Sequence, residues 1–198
     1  MRKIVIGITG GIASGKSQVR LELEKLGCLG IDADRVGHEI MLPGKPAYDR
    51  LISRYDSKIL STKESREIDR KKLGAIVFAD KDELRWLESV THPAIISEIQ
   101  SLIDASDAPI ALEAVKLMQS SLKEICDQKW LVSVPAEVQV QRLQQARGMT
   151  AAEARARVQS QQLIDWDEKE FDLVLDGSMP LALLAEKIHL HWAELQKY

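Results

Sequence analysis

"GITGGIASGKS", Gly7 to Ser17, follows the short apolar run Ile4-Val5-Ile6. Gly10, Gly15, Lys16 and Ser17 fit the spacing G-x-x-x-x-G-K-[ST], which describes a loop whose backbone N–H groups wrap phosphates. Gly10, Gly11 and Gly15 let the main chain approach an anion closely, and a helix opening at Lys16 directs its positive end at it. In such a loop Lys16 reaches the β- and γ-phosphates, and the Ser17 hydroxyl is placed to hold Mg2+. What the phosphate is held for is left open: it is handed on, given to water, or kept as a switch.

Working outward, five short β-type runs alternate with helical stretches: Lys3–Ile8, Cys28–Asp32, Ile110–Val115, Trp130–Val134 and Asp172–Leu175. Runs this apolar predict strands buried on both faces, in a parallel sheet covered by helices. The first helix is predicted from Lys16 to Gly27. The last has Ser178 as its expected N-cap, Pro180 in its first turn, and Leu181, Leu184, Ile188 and Leu195 on one stripe. Nearly eighty residues separate the second and third strands, far more than one crossover needs. Within them Asp56–Asp69 reads as an exposed polar loop, and Asp80 with Glu83 as a capping box. His92-Pro93 is expected to break or kink the following helix. This insertion is expected to be a helical subdomain over the carboxyl edge of the sheet, where ligands of open α/β sheets bind.

Two further stretches carry candidate chemistry. In "GIDAD", Gly30 to Asp34, strand alternation would point Asp32 and Asp34 the same way beside the phosphate loop. Such carboxylates suit a base and a group that holds Mg2+ through water, or else Asp34 caps the next helix. "QRLQQARGMTAAEARARVQSQ", Gln141 to Gln161, reads as two helices joined at Gly148, the second capped by Thr150 with Glu153. Its arginines, Arg142, Arg147, Arg155 and Arg157, suit a lid that excludes water and adds positive charge over a triphosphate. They equally suit ordinary pairing with Glu137 and Glu153.

Composition narrows the classes. The chain has 198 residues, 45% hydrophobic and 29% charged, which suits one core with an inserted subdomain. No apolar run approaches the roughly 18 residues of a membrane helix. No signal peptide is read, and two widely separated cysteines, Cys28 and Cys126, point to a reducing cytoplasm. A net charge of −3 argues against a general nucleic-acid binder. No obligate protein partner is evident.

Together these motifs resemble the dephospho-coenzyme A kinase family nearly end to end. "GITGGIASGKS" is similar to that family's doubled-glycine loop, and "IDADRVGHEI" to its D-A-D segment with His38-Glu39 after it. "IDRKKLGAIVF" and "LESVTHPAI" resemble its substrate subdomain, including Asp69-Arg70 and His92-Pro93. "QVQRL" and "ARARVQSQ" resemble its lid, with Arg142, Arg157 and Gln161 in register. The resemblance implies an α/β, three-layer P-loop nucleotide-kinase fold: a five-stranded parallel sheet, a helical substrate-binding insertion and a helical lid. The expected parts are a nucleotide-binding core (1–33, 105–140 and 164–198), a helical CoA-binding subdomain (34–104) and a lid (141–163).

The implied reaction transfers the γ-phosphate of ATP, with Mg2+, to the ribose 3′-hydroxyl of dephospho-CoA. Gly10, Gly11 and Ala13, Ser14, Gly15, Lys16, Ser17 and Gln18 would embrace the ATP phosphates. Asp34, with Asp32 beside it, would take the base role, and Arg142 and Arg157 would face the phosphates on closure. His38, Arg70, His92 and Lys116 are the candidates for contacting the substrate. A nucleoside or nucleoside monophosphate acceptor on the same fold is the alternative; a nucleotide-binding switch is a third. The chain departs from the family pattern at Val115-Lys116-Leu117-Met118-Gln119, at Ala146, at Asp176-Gly177 and at Tyr55-Asp56, where phenylalanine-glycine is common.

Overall fold

The computed structural model describes residues 3–62, 64–161 and 166–197. The chain forms two compact units, Met1–Asp32 with Ser106–Tyr198, and Ala33–Ala105.

The first unit carries a parallel sheet of β1 (Val5–Thr9), β2 (Leu29–Asp32), β3 (Ile110–Glu113), β4 (Gln128–Ser133) and β5 (Leu173–Asp176). The strand order is β2-β3-β1-β4-β5. Central β1 is buried along its whole length, as its unbroken apolar run requires. Ile6 and Ile8 share a core with Val19 and Leu23 of α1 (Lys16–Lys25) and with Leu184, Ile188 and Trp192 of α8 (Leu181–Leu195). Gly7 points the other way, where an added Cβ would come within 2.7 Å of the Leu117 side chain and press on Cys126. The chain leaves β1 between β3 and β4, where strand order reverses, so the loop that follows opens at the carboxyl edge of the sheet.

Helix α1 starts and stops as its sequence predicts, with Gly27 at φ 93 just past its end. Helix α8 differs. Pro180 occupies its N-cap position, while Ser178 bonds to the Asp176 carboxylate in the preceding turn. Leu181 is exposed, and Trp192 completes the buried stripe instead. Between β4 and β5 lies a hairpin of α6 (Ala136–Arg147) and α7 (Ala151–Gln161), turned by Gly148 at φ 62. The expected capping box is present: Thr150 N–H and Oγ1 donate to Glu153 Oε2, and Glu153 N–H donates back. These bonds hold the Glu153 carboxyl below its ordinary range, the Thr150 hydroxyl contributing most. The expected end of the lid at residue 163 lies outside the described residues.

The second unit consists of α2 (Ala33–Glu39), α3 (Pro46–Tyr55), α4 (Arg70–Val77) and α5 (Lys81–Asp104). Its core joins Leu51, Tyr55, Ile59, Leu73 and Val77, with Leu84, Trp86 and Leu87 packed against it. Three expectations are corrected here. Helix α5 continues unbroken for 24 residues with Pro93 inside it, because one lost main-chain bond is outweighed by packing along both halves. The 56–69 segment is not simply exposed: a 3-10 turn over Asp56–Ile59 buries Ile59, and Leu60 bridges Ile68. Asp80 caps α5 alone by accepting from Asp82 N–H, while Glu83 is drawn away to Arg54 and Tyr55.

Arg54 grips Glu83 with two bonds of 2.7–2.8 Å while its guanidinium lies 4.4 Å from the Trp86 ring centroid. Arg54 and the Tyr55 hydroxyl together lower the Glu83 carboxyl from 4.5 to about 2. Stability from such a carboxylate is complete above the unfolded value and is lost as pH falls toward the folded one. Glu83→Gln should therefore lower the melting temperature at neutral pH, and the gap from the parent protein should close as pH falls from 4.5 toward 2. Asp56 sits at φ 51 and ψ −145, a backbone conformation that L side chains resist. Glycine at this position removes that strain. After its extra chain entropy, Asp56→Gly should gain about 1 kcal/mol, read as a rise of about 2–4 °C in thermal melts.

Candidate active site

The phosphate loop is shaped by its backbone. Gly10 (φ 145) and Gly15 (φ 107) adopt conformations open to glycine, and Ala13 (φ 56) is held left-handed between them. A Cβ on Gly10 would strike the Val132 carbonyl, and one on Gly177 would strike the Ser14 carbonyl. Ser14 is fully buried, and its Oγ has no partner among the described residues. Lys16 is 6% exposed and its Nζ donates to the Gly11 carbonyl at 2.9 Å. An orphaned hydroxyl, a buried ammonium and a glycine-shaped main chain at a helix N-terminus fit a bound phosphate chain. Gln18, at the far end of the expected cradle, has its N–H on the Gly15 carbonyl at 3.0 Å.

Beside the loop, Ser17 Oγ donates to Glu113 Oε1 at 2.8 Å, and Arg20 Nε donates to Glu113 Oε2 at 3.1 Å. Ser17 and Arg20 are one turn apart on α1, so both address the same carboxylate. Glu113 is 7% exposed at the end of β3, where its Cα pairs with that of Asp32 on β2. A hydroxyl and two carboxylates at one sheet edge are a hard-oxygen donor set, which suits Mg2+ with most of its water shell retained. Among the described residues no three His, Cys, Asp or Glu side chains gather as a closed metal cage. Glu113 is the functional candidate that sequence reading missed. Its signal was a lone carboxylate ending the apolar run Ile110-Ala111-Leu112.

Asp34 is not on the strand. The chain turns helical at Ala33, so Asp34 lies exposed in the first turn of α2, and strand alternation stops two residues short of it, at Asp32. It is inside that turn rather than flanking it, where its charge favours the helix start.

Arg142 donates to the carbonyls of Ala13 and Ser14 at 3.1 Å each and to that of Gly177 at 2.6 Å. It therefore holds the carbonyl side of the loop, where the expectation was that it faces the phosphates on closure. The turn it reaches is fixed in its own way: Ser178 hydroxyl and amide donate to Asp176, lowering that carboxyl below its usual range. Arg147 and Ala146 both lie exposed in the last helical turn of α6, so Arg147 stays about 100° around the helix from Ala146. Arg157 is exposed on α7, and one turn later Gln161 Oε1 accepts the Ile12 N–H at 2.6 Å. His38, Arg70 and His92 are exposed on α2, α4 and α5 of the second unit, and Lys116 is exposed in the turn after β3.

The whole arrangement has close counterparts. The dephospho-CoA kinase family matches residues 4–182. A dephospho-CoA kinase of Carboxydothermus hydrogenoformans is 39% identical over 93% of this chain and 90% of its own length. One from Geobacter metallireducens is 41% identical over 88% of each chain. Among solved structures, TT1252 from Thermus thermophilus aligns with a TM-score of 0.79 at 26% identity, covering 98% of this chain and 99% of that one. The dephospho-CoA kinase of Campylobacter jejuni aligns with a TM-score of 0.64 at 27% identity over 97% of both chains. Shikimate kinase from Aquifex aeolicus, at 13% identity and a TM-score of 0.52 over 94% and 95%, shares the fold alone. A glycine-shaped phosphate loop on a β2-β3-β1-β4-β5 sheet, matched along nearly its full length, puts this chain in the dephospho-CoA kinase family.

Proposed function

We propose that this protein transfers the γ-phosphate of ATP to the ribose 3′-hydroxyl of dephospho-CoA, completing coenzyme A, at the edge formed by its phosphate loop and Glu113. The observation that carries the residue assignment is the Ser17–Glu113 bond beside buried Lys16. Main-chain N–H groups of the Ala13–Gln18 stretch and the Lys16 ammonium bind the phosphates, with Gly10 and Gly11 admitting them closely. Ser17 and Glu113 hold Mg2+, which supplies charge neutralisation at the transferring phosphate when bound. Arg20, paired to Glu113 and Glu24, keeps that carboxylate aimed.

Asp34 accepts the proton of the attacking hydroxyl, and Asp32 supports it from the end of β2. Arg157 brings positive charge as the α6–α7 lid closes, and Arg142 keeps the loop in its binding shape. His38, Arg70, His92 and Lys116 meet the acceptor, Lys116 through its anionic groups. We place the reaction in the cytoplasm. There Cys28 and Cys126 stay reduced, their thiols pushed up to about 12 mainly by burial.

ADP release from Mg·ATP with and without dephospho-CoA, with the product position read by 31P NMR, tests the reaction. Acceptor-dependent formation of the 3′-phosphate is expected; a rate that ignores dephospho-CoA but responds to a nucleoside monophosphate would overturn the acceptor. Asp34→Asn should cut kcat by at least about 100-fold with little change in the KM for ATP. A larger loss in Asp32→Asn would move the base to Asp32. Glu113→Gln should raise the Mg2+ concentration giving half-maximal ADP binding by about tenfold, measured by calorimetry.

A further inference from the structure

We infer that Gln161 is a positioning residue for the phosphate loop, setting the loop crest from the last turn of α7 through the bond from Ile12 N–H to its Oε1. The inference rests on reading the loop as the ATP site. Ile12 is the one residue between Gly10 and Gln18 that is not assigned to the phosphates, so on that reading its N–H is not needed by a phosphate oxygen. The bond therefore acts with the nucleotide instead of against it.

Three successive loop residues are seated on the α6–α7 hairpin. A Cβ on Gly11 would run into the Gln139 carboxamide nitrogen, so α6 packs directly on that residue's main chain. The side chains of Ile12 and Ala13 pack with Leu143, Ala154 and Val158, the core of the hairpin itself. Ala13 holds φ 56, a conformation an L residue keeps only where its surroundings fix it. The apolar contact sets where the crest lies, and the directional Gln161 bond sets how its peptide is turned. A shift of the last turn of α7 consequently reaches the loop, and order in the loop reaches α7.

This geometry gives Gln161 a thermodynamic role. Apparent nucleotide affinity scales with the fraction of molecules whose loop is already in the binding shape. While its oxygen accepts from Ile12 N–H, the Gln161 side chain also lines a pocket of about 190 Å3 with Gly11, Ser133, Gln139 and Trp166, to which its NH2 can donate.

The test compares amide exchange at Ile12 by NMR with ADP affinity by calorimetry in the full chain, for wild type, Gln161→Leu and Gln161→Glu. Losing one hydrogen bond in Gln161→Leu should speed Ile12 exchange about fivefold or more and weaken ADP binding by a similar factor. The melting temperature should fall by no more than about 4 °C. Gln161→Glu retains an acceptor oxygen and should keep slow exchange at Ile12. Unchanged exchange in the leucine variant overturns the inference. So does faster exchange with ADP affinity unchanged or improved, since a contact that must open for nucleotide has the opposite sign. Should the leucine variant not fold, the glutamate variant and wild type decide the matter: slow exchange must persist in the first, and ADP must slow it further in the second. Wild-type protein that binds ADP but leaves dephospho-CoA unphosphorylated would sink the proposed reaction, while the exchange and affinity data still decide the role of Gln161.

Discussion

The guanidinium of Arg142 holds three main-chain carbonyl oxygens, two from the phosphate loop and one from the turn after β5, and the site is organised around that junction. A loop that aims its N–H groups at an anion leaves its carbonyls crowded on the opposite side, where each needs a donor. Arginine supplies several donors in a fixed plane and stays charged at any working pH. Gly177 must be glycine for the junction to close, because a side chain there would displace the Ser14 carbonyl. Sheet strand β5, helix α6 and the loop after β1 thus meet through one side chain. The α6–α7 hairpin then adds its own hold on Ile12 and Ala13.

On the other flank the organising element is a carboxylate. Glu113 ends β3 in register with Ile8 on one side and Asp32 on the other, so sheet pairing alone brings it to the loop. Arg20 bridges Glu113 and Glu24 across the face of Gly30, where a Cβ would overlap the Glu24 carboxylate. A mostly buried carboxylate tolerates its charge only when paired. Here Arg20 takes one oxygen and Ser17 the other.

Features set by neighbours within a few residues were legible in the sequence. The phosphate loop, the turn at Gly148 and the Thr150–Glu153 capping box each depend on contacts a reader of the chain can count. Features set by distant partners were not. Glu83 has the spacing of a capping residue, yet Arg54, 29 positions earlier, offers it a bidentate bond that a backbone amide cannot match. Ile59 stands with Leu60 in a polar stretch, and the Leu60–Ile68 bridge with the Asp69 N–H bond to the Ile59 carbonyl folds it into a core. Asp34 was expected to point the same way as Asp32 because strand alternation was carried two residues past the end of β2. Glu113 passed as an ordinary strand end since its partners, Ser17 and Arg20, lie more than ninety positions away.

The chain carries a net charge of −3 and still presents a site for a polyanion. The charges explain how. At the loop, Arg20 is paired with two glutamates and Arg142 with carbonyl dipoles, so neither presents its charge as a bulk positive patch. Lys16 is nearly buried: its ammonium donates to the Gly11 carbonyl inside the loop, with almost no exposure to screening salt. The remaining attraction comes from oriented N–H groups and the start of α1, which are dipoles without net charge and fall off within a few ångströms. Such a site attracts weakly at long range and strongly at contact. It can therefore select a phosphate chain by fit.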